Sequence, residues 1–214
     1  MENPILKIVF APDGALEIVN KAARTCYRSM DKEKPGTREQ FIMNIIKSGH
    51  DSIVQHVQVN FELYNISRSC ATQILRHRMA VYSCESMRYV TMEPFEYVAP
   101  LGVEKHPEAL KVFTKAIKAS AKAYKQLLDM GIKKEDARAC LPIATCTRMF
   151  FSYNLGEIRH FLHERLSPRA QREVRLVATS MYEQVSAIYP WLLKDFATLY
   201  EEAKNKNNQE VNSK

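Results

Sequence analysis

The chain has six glycines in 214 residues, and none stands in a GxGxxG or GxxxxGK[ST] arrangement. That excludes the glycine-rich turns by which Rossmann domains and P-loops cradle phosphates. The five cysteines are odd in number and lack CxxC spacing, which argues against a disulfide scaffold or zinc ribbon and fits a reducing, cytoplasmic setting. No apolar run approaches the roughly 20 residues that cross a bilayer. The N-terminus, MENPILKIVFAPDG, lacks the basic-then-apolar order of a secretory signal. No GxSxG elbow occurs, so a Ser/His/Asp triad is not indicated. His160 and His163 share a helix face beside Glu164, but the arginines around them would repel a cation, and no metal is expected.

What is present is positive charge, at +7, in a chain of ordinary apolar (46%) and charged (26%) content for a soluble single domain. Arginines concentrate in two segments, 76–88 and 159–175, whereas lysines scatter over 105–134 and the tail. That placement favours discrete anion pockets over a continuous stripe for tracking nucleic acid, so no nucleic-acid partner is expected.

Hydrophobic spacing predicts strands at 4–10, at 57–64, where Val57, Val59, Phe61 and Leu63 alternate with polar residues, and at 144–153. Helices are predicted at 15–28, at 38–48 after a Thr37/Gln40 capping box, from Ser67 to about His77, at 107–130 and at 134–140. Three more follow: from Asn154, capped with Glu157, to Arg165; from Ser167-Pro168 to about Tyr189; and at 191–203. Residues 79–92 read as an ordered loop, and 204–214 as a polar, disordered tail after a domain spanning 1–203. The fold class is α+β: a small, mostly antiparallel sheet flanked by helices.

The densest chemistry lies in RHRMAVYSCESMR. Arg76, His77 and Arg78 stand in a row, and Ser86 and Arg88 follow at fixed spacing. Such a cluster repels itself unless an anion fills it, and guanidinium grips phosphate in a planar, bidentate way. Gln73 lies one helical turn before Arg76, so amide, guanidinium and hydroxyl together suit a nucleotide. A surface loop with coincidental arginines is the plain alternative. Gly49-His50-Asp51-Ser52 forms a helix-to-strand loop, a common ligand-contacting position. Arg169, Arg172 and Arg175 recur every three residues, beside Ala170 and Gln171; a solvated stripe balanced by Glu173 is the competing reading.

The run RHR-x7-S, with GHDSIVQHVQVNFEL, ISRSCATQILRHR, RYV, LPIATCTRMFFSYNLGEIRHFL and AQREVR, resembles the flavin-dependent thymidylate synthases over nearly the whole chain. The resemblance implies an α+β homotetramer that binds FAD, shares its sites between subunits and converts dUMP to dTMP. Methylenetetrahydrofolate would supply the carbon and NADPH would reduce the flavin. Gln73, Arg76, the segment Cys84, Glu85, Ser86, Met87 and Arg88, and Arg148 would hold dUMP. Arg175 would be catalytic, stabilising the ionised N3 of the uracil. His50, Ser52, Arg76, His77, Arg78, Met79, His163, Arg165 and Arg169 would contact FAD. The chain departs from the usual family residues at Gln55, Cys84, Cys146, His163 and Arg172. Two other function classes stay open: a nucleic-acid-binding protein with a basic surface, and a family member that binds nucleotide without turnover.

Overall fold

The period-two run at 57–64 becomes the inner strand of the sheet in the computed structural model, which describes residues 3–212. Strands β1 (Ile5–Phe10), β2 (Gln58–Ser67), β3 (Ala80–Cys84) and β4 (Cys146–Asn154) form one antiparallel sheet in the order β1-β2-β4-β3. The fold is α+β, as the pattern predicts. Inward-facing Val59, Phe61, Leu63, Met149, Phe151 and Tyr153 are buried, and the Phe61 and Phe151 rings stack with centroids 5.1 Å apart.

One residue changes the phase of β2. Asn65 has φ +57°, and the β2–β4 register shifts between Leu63 and Ile66. Asn tolerates the left-handed region, and a bulge there inserts one extra residue. Strict alternation would turn Asn65 inward; the bulge buries Ile66 instead and delivers Ser67 to cap the next helix.

Helices α1 (Ala15–Cys26), α2 (Arg38–Lys47) and α3 (Arg68–Ile74) precede β3; α4 (Leu101–Glu104), α5 (Pro107–Asp129) and α6 (Lys134–Ala137) follow it. After β4 come α7 (Leu155–Arg165), α8 (Arg172–Ile188) and α9 (Ala197–Asn212). Helix α8 buries Val174, Val177, Ala178, Met181 and Val185, the spacing of a core-facing stripe. Its Gln184 side chain also bonds the Ile8 amide (3.1 Å) and the Leu6 carbonyl (2.9 Å), satisfying the exposed edge of β1. Helix α5 stands apart, burying only Ile117 and Tyr124.

Several expectations are corrected. Residues 80–84 are a strand, because their backbone pairs with β4 from Ala80–Tyr153 to Cys84–Met149 despite mixed side chains. Helix α3 stops at Ile74, before the RHR triplet. Thr37 does not cap α2 through its side chain; its hydroxyl donates to the Lys34 carbonyl (2.8 Å). Ser167-Pro168 starts a turn, and α8 begins at Arg172. The expected disordered tail is helical to Asn212, since Tyr200, Ala203 and Asn207 form a buried face on α9; residues 213–214 lie outside the described ones. Among the described residues no helix is long and apolar enough to cross a membrane.

Phe61 is fully buried at the centre of this sheet, so Phe61→Ala is expected to cost about 3–5 kcal/mol of stability, read as a lower midpoint in chemical denaturation.

Candidate active site

The RHR triplet sits in the short link between the end of α3 and the start of β3. Arg76 and Arg78 are exposed while His77 between them is only 2% exposed. The link is pinned from outside the triplet. The Tyr82 hydroxyl lies 2.8 Å from the Ile74 carbonyl, 2.7 Å from that of His77 and 3.0 Å from the Tyr153 hydroxyl. Having one O–H, it donates to one carbonyl at a time. Burial pushes its pKa up to about 12, so it stays a donor.

His77 is held on both ring nitrogens. Nδ1 is 2.9 Å from Glu157 Oε1, and Nε2 is 3.1 Å from Arg165 Nε. Arg165 can only donate, so Nε2 accepts and the proton rests on Nδ1, donated to the carboxylate. His160 Nδ1 reaches the same Glu157 oxygen at 3.0 Å. These three ligand-type atoms lie within 4.8 Å of one another. Their contacts have hydrogen-bond lengths, and Arg165 sets a full positive charge on the other side of His77. Arg165 also donates to the Gln73 carbonyl (3.4 Å). The buried Glu157 thus ties α7 to the RHR link and, through Arg165, to the end of α3.

A second carboxylate does similar work 16 residues on. Glu173, on α8, accepts from the Ser67 amide and hydroxyl, both at 2.6 Å, while Ser67 Oγ accepts from the Cys70 amide at 3.0 Å. Gln171, two residues earlier, accepts from the Gln73 amide. The start of α8 is therefore locked against α3, and two arginine-rich segments distant in sequence share one edge of the fold. A cleft of about 490 Å³ is lined there by Gln73, Arg76, His77, His160, Glu164 and Arg165.

The remaining predicted residues divide. Met79 and Arg169 are exposed, and Arg169 lies two residues before Gln171. His163 is exposed, 3.5 Å from Glu164, and does not join His160 in a pair. His50 and Ser52 are exposed at the start of a 3-10 turn (Asp51–His56) that packs on α7. Gln55, in that turn, lies so close to Gly156 that a Cβ there would come within 2.9 Å of it. Cys84, Glu85, Ser86, Met87, Arg88 and Arg148 gather at the far end of β3, roughly 15 Å away at 3.3 Å per residue. There Arg148 pairs with Glu85 (3.6 Å), Arg88 pairs with Glu135, and Ser86 Oγ accepts from the Arg88 amide (3.2 Å). Met87 packs in a small apolar cluster around Met92 and Tyr124.

Arg175 faces neither group. It is 1% exposed, donating from Nε to Asn207 (2.8 Å), from Nη1 to the carbonyls of Pro168 (3.2 Å) and Ala170 (2.6 Å), and from Nη2 to Glu210 (2.5 Å). A larger cavity, about 830 Å³ beside Glu33, Arg38 and Asp195, contains none of the predicted residues.

Sequence reasoning missed three positioning groups. Glu157 reads as a capping-box residue, and its amide is indeed capped by Asn154 (2.8 Å), but its carboxylate turns away to the histidines. Glu173 reads as a counter-charge on a solvated stripe. Arg68 gives no signal, yet its guanidinium reaches the Glu85 carbonyl (2.6 Å) and Cys84 Sγ (3.8 Å).

The unpartnered cations suit an anionic cofactor. Among the described residues no carboxylate pairs with Arg76, Arg78 or Arg169; all three are exposed, and Arg76 lines the cleft. A diphosphate bridging such groups relieves their repulsion without a glycine turn.

The model for the thymidylate synthase complementing protein family matches residues 7–191. The flavin-dependent thymidylate synthase of Mycolicibacterium gilvum is 37% identical over 201 residues, covering 86% of this chain and 80% of that protein. That of Geobacter sulfurreducens is 36% identical over 192 residues, covering 86% and 82%. Among solved structures, the UMP/dUMP methylase PolB of Streptomyces cacaoi, bound with 5-Br dUMP, superposes with a TM-score of 0.82 at 24% identity, over 92% of this chain and 96% of that one. Thymidylate synthase X of Helicobacter pylori, with FAD and dUMP, gives 0.74 at 23% identity, over 90% and 98%.

Burial, reinforced by Arg165 and opposed by the Glu157 bond, holds His77 below its ordinary pKa of 6.5. The unfolded chain therefore binds a proton first as pH falls. The His77 contribution to stability is complete above about 6.5 and declines as pH drops below it. Melting temperature against pH is expected to fall more steeply below 6.5 in the wild type than in His77→Gln.

Proposed function

The chain belongs to the thymidylate synthase complementing protein family, that of the flavin-dependent thymidylate synthases, and we propose that it methylates dUMP to dTMP on bound FAD. In this reading methylenetetrahydrofolate supplies the carbon and NADPH the reducing electrons. When bound, the flavin supplies the reducing equivalent that the uracil ring needs, so the protein's part is position and electrostatics.

The observation that carries the proposal is that Arg76, Arg78 and Arg169 are exposed without a carboxylate partner among the described residues, Arg76 lining the cleft that Glu157 and Glu173 brace. Arg76, Arg78 and Arg169 hold the cofactor diphosphate. His77 is locked neutral and keeps Arg165 directed along the same edge. His50, Ser52, Met79 and His163 supply the remaining cofactor contacts. Gln73 reads an edge of the nucleotide base, while Ser86, Arg88 and Arg148 hold its phosphate and sugar, with Cys84, Glu85 and Met87 shaping that segment. Arg175 opposes the charge that develops at N3 as C5 becomes nucleophilic.

The two groups lie at opposite ends of β3, and in this reading one nucleotide draws on residues of both. Sites completed by a neighbouring copy, in a homotetramer, permit this. The outer face of the sheet supports that assembly, because it exposes Val81 (66%) and Phe150 (37%) beside Arg148.

The purified protein is expected to be yellow, with an oxidised-flavin band near about 450 nm and one FAD per chain; a colourless protein that takes up no FAD overturns the proposal. Loss of a charge-assisted phosphate contact costs on the order of 1.5–3 kcal/mol. Arg88→Ala is therefore expected to raise the KM for dUMP on the order of ten- to a hundred-fold, with FAD content unchanged.

A further inference from the structure

The lysines that look scattered along 105–134 in sequence are collected by the helix that carries most of them. On α5, Lys111, Lys115, Lys118, Lys122 and Lys125 alternate spacings of four and three residues. At about 100° per residue they fall within an arc of about 80°, in a row about 21 Å long. All five are exposed, on the side of the helix away from the buried Ile117 and Tyr124. No aspartate or glutamate occurs between 112 and 128.

A helix that only faces water gains nothing from such a row. Opposite charges three or four residues apart stabilise a helix by about 0.2–0.5 kcal/mol a pair, and like charges at that spacing cost a similar amount. Each lysine here is followed by another at that spacing, so the repulsive contacts run the length of the row. None of the five lies in the last turn, where the helix dipole favours a cation. The rest of the fold relieves little of this. Lys111 meets Glu108 (2.8 Å) and Lys125 meets Glu93 (3.9 Å), both in exposed pairs of small value. Lys115, Lys118 and Lys122 have no ion pair among the described residues.

The shape of the row selects its occupant. Charge confined to one line fits a linear polyanion laid along it. The groove of a duplex would bring phosphates to both flanks of the helix, and an anionic bilayer would cover both. Those flanks are uncharged: Val112, Ala119 and Gln126 on one side, Thr114 and Ala121 on the other. Glu108 and Asp129 stand beyond the two ends and limit its length.

We propose that the lysine face of α5 is a docking surface for single-stranded nucleic acid, held by its phosphodiester backbone whatever the base sequence. The expectation of no nucleic-acid partner weighed where the lysines stand along the chain, whereas the helix decides where they stand in space. No aromatic ring lies in the row to stack on bases, so the attraction is electrostatic and strongly salt-dependent.

The test is fluorescence anisotropy of a short, labelled oligodeoxythymidine with the full-length protein, FAD and dUMP being present in excess to occupy the arginine clusters. The wild type is expected to bind with a Kd on the order of 1–100 μM at low salt, and log affinity to fall against log salt with a slope of about −3.5, one contact per lysine. Lys115→Gln/Lys118→Gln/Lys122→Gln is expected to flatten that slope to about −1.5 and to weaken binding on the order of ten-fold or more, with melting temperature and FAD content unchanged. Lys21→Gln/Lys32→Gln/Lys47→Gln removes the same charge from exposed positions elsewhere and is expected to bind as the wild type does. Absence of binding by the wild type overturns the proposal. An equal loss in the two triple variants overturns it too, since net charge and not the row would then be responsible. Tighter attachment to phosphatidylserine vesicles than to the oligonucleotide would make the face a membrane contact, and the proposal would fall.

Discussion

Cations can be kept close together and open to solvent only if the backbone that carries them is braced from within. Glu157 and Glu173 are those braces. Each carboxylate is lodged between elements far apart in the chain, Glu157 between α7 and the RHR link, Glu173 between α8 and the cap of α3. Both spend their charge on neutral or backbone donors, His77 and Ser67, so the neighbouring exposed guanidiniums keep theirs. Had either carboxylate paired with Arg76 or Arg78, the cluster would be stable without a ligand and useless for holding one.

The bulge at Asn65 is the backbone counterpart of these braces. It shifts the phase of β2 so that Ser67 emerges where α3 must start, which sets where Gln73 and the triplet fall. Strand β3 then carries the chain away from that edge, and the second group, around Glu85 and Arg148, forms at its far end. The separation is a property of the sheet register and not of loop disorder, because β3 pairs with β4 along its whole length.

The C-terminal helix braces a further arginine, one buried away from that cluster. Arg175 arrives on the buried face of α8, where a bare guanidinium would be untenable, and α9 supplies the acceptors that make its burial tolerable.

Much of this was legible from spacing. The alternation that marks β2 and the Ser67 and Asn154 caps follow from a period of 2 and from which residues begin helices, all local properties. The gathering of arginines in two segments was legible as well, since it can be read along the chain. The pairings were not legible: Glu157 with His77, Glu173 with Ser67 and Arg175 with Glu210 join residues 80, 106 and 35 positions apart. Nor was β3, whose mixed side chains become a strand only because β4 offers free backbone donors and acceptors beside them. The sequence by itself determined three of the four strands, most of the helices within a few residues of their ends, and that the protein gathers cations. Only the tertiary structure decided which of those cations stay free, because a carboxylate's partner depends on how burial excludes water around it, and no local pattern records that.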